Sequence, residues 1–190
     1  MTVPAPSSVS IENDWEGPEH SIVASWEPTP QADAYTVQLY LGGVLQDTFT
    51  VYTPYIVIPA QLVDEYTIAR AAQIRVSVDA GTITTGISTD TVTDTAPAVP
   101  TNITTSSPSA GQLTVSWDAN TDDDFREYRL YVSGSSGFTP SASTLAYSGT
   151  DTSVTVYGLT SASTMYMQLV AVDYIEGGLN YSTEFSQTIT

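Results

Sequence analysis

Gln112-Leu113-Thr114-Val115-Ser116-Trp117-Asp118 alternates apolar and polar residues up to a tryptophan. After an acidic turn, Tyr128-Arg129-Leu130-Tyr131-Val132-Ser133 resumes alternation. Period-two alternation turns one side of each strand into a core and leaves the other wet. The same plan occurs earlier in the chain, where Ser21-Ile22-Val23-Ala24-Ser25-Trp26 is followed by Tyr35-Thr36-Val37-Gln38-Leu39-Tyr40. A plan that occurs twice in 190 residues predicts two β-sandwiches, since such folds close at about 100 residues. The expected boundaries are residues 1–95 and 96–190, with Asp94-Thr95-Ala96-Pro97-Ala98-Val99-Pro100 as a proline-stiffened linker.

Working outward, the first half predicts an edge strand at Val9–Ile11, a turn through Trp15, strands at His20–Trp26 and Asp33–Leu41, and a hairpin through Gly42-Gly43 into Val44–Thr50. Tyr55–Ile58 is a further strand, Pro59–Ala72 is ambiguous between loop and short helix, and Ile74, Val76 and Val78 restore alternation before a threonine-rich strand at Thr82–Thr91. The second half predicts strands at Ile103–Ser106, Gly111–Trp117, Phe125–Val132, Thr144–Ser148, Ser153–Tyr157, Met165–Val172 and Tyr181–Thr190. Trp26, Tyr35, Trp117, Tyr128 and Leu159 are the expected structural core.

Composition excludes several chemistries. There is no cysteine, so no disulfide, thiolate metal site or cysteine nucleophile can form. The net charge is −17, and the only basic side chains besides His20 are Arg70, Arg75, Arg126 and Arg129. A chain with so few cations repels phosphate backbones, so no nucleic-acid partner is expected. No stretch reaches the roughly 18 apolar residues of a membrane-crossing helix, so no membrane insertion is expected. The opening Met1-Thr2-Val3-Pro4-Ala5-Pro6 lacks the basic start and apolar run of a secretion signal, which predicts synthesis in a cytoplasm without export by a standard secretion route.

One cluster imitates a ligand set. Asp118, Asn120 and Asp122, with Asp124 beside them, have the spacing of the first ligands of a calcium loop. The turn-glycine position of such a loop holds Asp123 and the bidentate glutamate position holds Arg129, so the competing reading is a solvated turn of the kind Asp and Asn favour. His20 is the sole histidine, and neither a triad nor a histidine-rich metal site is built around one. The expectation is therefore a non-enzyme with no catalytic residue and no cofactor. Tyr40, Tyr52, Tyr55, Tyr131, Tyr147 and Tyr174 are candidates for outward contact positions, or for cross-strand pairs. Asn102-Ile103-Thr104 and Asn180-Tyr181-Ser182 match glycosylation sequons, read as chance matches in a chain without a secretion signal.

These segments resemble fibronectin type III domains over nearly the whole chain. The likeness is carried by Val99-Pro100-Thr101-Asn102, Leu113–Asp118, Tyr128–Tyr131, Gly158-Leu159-Thr160 and Leu169–Asp173. The resemblance implies spacer or adhesive modules without a conserved active site. One departure is Met165, with Tyr166 beside it, where the family usually has a corner tyrosine. The strings Tyr128–Ser133 and Ser136-Gly137-Phe138-Thr139-Pro140 are similar to repeats appended to tail-tip and receptor-binding proteins of tailed bacteriophages. That narrower resemblance implies a virion location, with other virion proteins and a host surface protein or glycan as partners and a homo-oligomer within the assembly. It also suggests that Thr2–Ser8 of the divergent first domain adds a strand to a neighbour's sheet and anchors it. The alternative is an extracellular spacer fragment of a bacterial adhesin or polysaccharide-degrading enzyme.

Overall fold

The computed structural model describes residues 4–12, 21–30, 32–59, 70–80, 83–175 and 177–190, with backbone only for 12, 80 and 83–85. The expectations for Trp15 and its turn, His20 and most of Pro59–Ala72 lie outside the described residues.

Among the described residues, fourteen strands form in chain order: β1 Ser7–Glu12, β2 Ile22–Glu27, β3 Ala34–Leu41, β4 Val44–Val51, β5 Tyr55–Ile58, β6 Ala71–Ala80, β7 Ile83–Thr93, β8 Thr104–Ser106, β9 Leu113–Ser116, β10 Glu127–Ser133, β11 Leu145–Gly149, β12 Ser153–Val156, β13 Thr164–Val172 and β14 Phe185–Thr188. They make four sheets with the orders β1-β2-β5, β4-β3-β6-β7, β12-β9-β8 and β11-β10-β13-β14, every pairing antiparallel. Adding seven to each strand number of the first half reproduces the strand order of the second. Each half has three strands facing four, with the chain changing sheets between its second and third, fourth and fifth, and fifth and sixth strands. That is a seven-stranded immunoglobulin-like sandwich of the fibronectin type III kind.

Alternation built these strands as the side-chain period requires. In β2 Ile22, Ala24 and Trp26 are buried, and in β3 Tyr35, Val37, Leu39 and Leu41 meet them together with Ile56, Ile58, Ile74, Val76 and Val78. The second core holds Leu113, Val115 and Trp117 against Tyr128, Leu130, Met167, Leu169, Ala171 and Ile189. Leu159 sits half-buried at its margin.

The chain divides into a unit of Met1–Thr95 with Tyr174–Gly178 and a unit of Ala96–Asp173 with Leu179–Thr190. Ile175 belongs to the first core, 2% exposed, and the Arg70 guanidinium donates to the carbonyls of Ile175 and Gly177 at 2.7 Å each. The same guanidinium pairs with Asp94, whose side chain is 1% exposed.

In the described part of Thr2–Ser8, two residues are bonded within the first sandwich. Ser7 pairs with Glu27 in β2, and Pro6 accepts a hydrogen bond at its carbonyl from the Ser88 hydroxyl. Ile11 N donates to Asp90 Oδ2 at 2.8 Å. A register shift between Ser7 and Ser10, with Ser8 at φ 55°, lets β1 pair with β2 while reaching across to β7. Pro6 and Ser7 are thus bonded inside their own sandwich.

The last strand is also shorter than the alternation predicts. β14 spans only Phe185–Thr188, and upstream Ser182 takes over the ladder: its N–H donates to Leu169 O at 2.8 Å and its hydroxyl accepts from Leu169 N at 2.9 Å. This frees the chain before it to cross the sheet. Leu179 and Phe138 pack over Tyr131, Val170 and Val172 on the outward side of β10 and β13.

Candidate functional site

The acidic turn after Trp117 is built from its own side chains. Asn120 Oδ1 accepts from Asp122 N at 2.7 Å, an Asx-turn, and Asp122 O accepts from Phe125 N at 3.2 Å. Asp122 Oδ2 accepts from Ala98 N at 3.0 Å, and Asp118 Oδ2 accepts from the Asn102 side-chain amide at 2.5 Å. Three members of the predicted ligand set therefore hold three different pieces of backbone and side chain. Asp118 and Asp122 are exposed, whereas Asp124 is buried and lies with a carboxylate oxygen within 4.8 Å of one from buried Asp173.

Next to this turn stands a constellation present in both units. Trp26 and Tyr35 meet edge to face, with ring centres 5.2 Å apart at 66°. Trp117 and Tyr128 do the same at 5.2 Å and 68°. The Tyr35 hydroxyl accepts the backbone N–H of Thr29 at 2.9 Å, and the Tyr128 hydroxyl accepts that of Asn120. Thr29 and Asn120 each follow their tryptophan by three positions. Tyr35 and Tyr128 thus fill the core and clamp the loop between the second and third strands of each sandwich, a structural duty invisible in the alternation alone.

The corner of the second unit, where Met165 stands, is closed differently. Met165 packs against the core, Tyr166 pairs with Ser133 and Ser186, and the Ser163 hydroxyl donates to Thr160 O. Ala162 at φ 58° then exchanges bonds around Ile189, with Ala162 N donating to Ile189 O and Ile189 N to Ser163 O, both at 2.9 Å.

The six candidate outward tyrosines separate by environment. Tyr52 is 80% exposed and Tyr55 52%, beside Val57 at 53%. Tyr40 lies under Arg75, whose guanidinium carbon is 3.9 Å from the ring centre. Tyr147 leans on Trp117 at 6.2 Å, and its hydroxyl accepts from Asp151 N at 2.9 Å. Tyr174 is half-buried. For Tyr131 the outward expectation is corrected: it faces away from the main core but is buried beneath Phe138 and Leu179, with Tyr181 5.9 Å away. Tyr157, 69% exposed, is not among the six, although Val154 and Val156 pack on the core and the alternation therefore puts it on the outer side just past the end of β12.

Both sequon asparagines use their amides inside the fold. Asn102 donates to Asp118, and Asn180 donates to the carbonyls of Ala96 at 3.4 Å and Pro97 at 3.2 Å, tying the linker to the second unit. Glu127 accepts from Arg129 Nε at 2.7 Å and from the Ser148 hydroxyl. Burial pushes its carboxyl up, but the bonds from Ser148 and Arg129, with the charges of Arg129 and Arg126, outweigh burial and leave it below the usual range.

No protein-family model matches the chain, and no curated protein matches it by sequence. Among solved structures it is similar to the FN1-FN3 domains of chicken CNTN1 at 16% identity and a TM-score of 0.45, over 100% of this chain and 69% of that one. It is similar to a two-domain fibronectin type III segment of chicken tenascin at 16% identity and 0.46, over 96% and 97%. The sixth fibronectin type III domain of human fibronectin type III domain containing protein 3 aligns at 23% identity and 0.43, over 52% of this chain and 90% of that one.

Proposed function

We propose that this chain is a non-enzymatic adhesive module that works by its surfaces. The observation that carries this reading is the division of labour among its side chains. The candidate ligands Asp118, Asn120 and Asp122 are occupied in turns, while Tyr52, Tyr55, Val57 and Tyr157 stand in solvent. Large amphipathic rings in solvent supply contact area at low entropy cost.

The finer reading is a virion protein of a tailed bacteriophage, in the tail, fibre or capsid surface, contacting other virion proteins and a host surface protein or glycan, as one copy of a homo-oligomer. Its support is the likeness of Tyr128–Ser133 and Ser136–Pro140 to repeats of tail-tip and receptor-binding proteins. Mass spectrometry of purified, disrupted particles is the test. Recovery of the chain at stoichiometric yield is expected, and recovery only from soluble host fractions overturns the virion location. An adhesin or polysaccharidase spacer would instead be found on or outside a bacterial cell, joined to further domains.

A further inference from the structure

We propose that the outward face of the β4-β3-β6-β7 sheet binds a neutral polysaccharide chain, an inference that rests on the adhesive reading above. The register places three rungs across this sheet. Tyr40 lies beside Gln73, Gln38 beside Arg75, and Thr36 beside Ser77; the flanking positions on β4 and β7 are four threonines, Leu45 and Ile87. The six central side chains are half-exposed and the flanking six exposed. Three rungs on four strands cover about 14 by 13 Å, the footprint of a short oligosaccharide.

The chemistry is that of a surface for hydroxyl groups. Arg75 Nε donates to Gln73 Oε1 at 2.6 Å, and Gln73 Nε2 donates to Thr91 Oγ1 at 3.5 Å, while the guanidinium lies on the Tyr40 ring. Guanidinium, amide and hydroxyl groups are thus held side by side, and each offers paired donors or acceptors to a vicinal diol. Holding them in advance lowers the ordering cost of binding. None of the twelve positions carries a carboxylate, so the only formal charge on the face is that of Arg75.

Charge selects the occupant. A polyanion meets one cation on a chain of net charge −17 and is repelled at distance. The fully buried core of a protein interface is more apolar than the surface around it, and here Tyr40 is the one ring among six central side chains while Leu45 and Ile87 lie on opposite edge strands. The equivalent face of the second unit makes the contrast: there Tyr131, Val170 and Val172 are apolar and sealed under Phe138 and Leu179.

The test is affinity electrophoresis of the full chain in gels containing β-glucan, mannan or galactan, with polygalacturonate as the anionic comparison. Amide chemical-shift mapping with the retarding polymer's oligosaccharide then locates the contact. At least one neutral polymer is expected to retard the chain, with shifts on residues 36–40 and 73–77 and a tenfold or greater loss of affinity in Arg75→Ala. Gln73→Ala, which keeps the cation, is expected to lose affinity with an unchanged melting curve. Retardation by polygalacturonate alone, shifts confined to another surface, or no retardation by any neutral polymer overturns the inference. Absence of the chain from particles and cell surfaces overturns the adhesive reading independently of this face.

Discussion

Tyr35 and Tyr128 show how one hydroxyl per domain fixes a loop. Tyr35→Phe keeps the edge-to-face contact with Trp26 and removes the acceptor of the buried Thr29 N–H. A loss of about 1–3 kcal/mol of stability is expected by chemical denaturation. Tyr128→Phe is expected to cost less, because the Asn120 N–H it caps is only part-buried. Gly111 is a second single-residue lock. It has φ +70°, and a Cβ added there would lie 2.9 Å from Leu159 O. Gly111→Ala is expected to cost roughly 1–3 kcal/mol in thermal or urea melts, since strain and backbone collision act together. Glu127 sets a pH dependence. Its carboxyl titrates lower in the folded chain than in the unfolded one, so its contribution is complete above the ordinary carboxylate range and is lost as pH falls through the folded value. Glu127→Gln is expected to cost under about 1 kcal/mol at neutral pH and to flatten the acid limb of the stability profile. An unchanged acid limb would refute this role.

At the scale of elements, the sealed outer face of β10 and β13 is the feature that separates the second sandwich from the first. Ser136 Oγ and Gly137 N both donate to the Glu184 carboxylate at 2.7 Å, so two loops are clasped over Tyr131, Val170 and Val172. Phe138→Ala is expected to cost roughly 1–3 kcal/mol, below the full core value because the ring is only partly buried. Solvent exchange of the β13 amides should rise with it. The string Ser136-Gly137-Phe138-Thr139-Pro140 therefore has a structural task, since Phe138 is one of its residues. On the first sandwich, Arg70 is the comparable fastening. Arg70→Ala removes the cation from a carboxylate that is 1% exposed, and a loss of about 3 kcal/mol is expected in urea melts.

For the whole molecule the dominant quantity is charge. A net −17 with two small cores means that self-repulsion opposes compaction at low ionic strength. Raising salt from 10 mM to about 0.5 M shortens the screening length severalfold, so the melting temperature is expected to rise with sodium chloride. A flat or falling dependence would show that local pairs such as Glu127–Arg129 outweigh the net field. Alternation in Ile22–Trp26, Tyr35–Leu41 and Leu113–Trp117 determined the all-β class, the doubled sandwich and the buried tryptophans, because a period of two is a property of the strand itself. Tertiary structure alone decided that Tyr131 is covered, that Asp118, Asn120 and Asp122 serve three separate bonds, that Tyr174–Gly178 joins the first unit, and that Arg75 lies on Tyr40. Those outcomes depend on which loop crosses which sheet and on cross-strand register, and both are set by contacts between residues far apart in the chain.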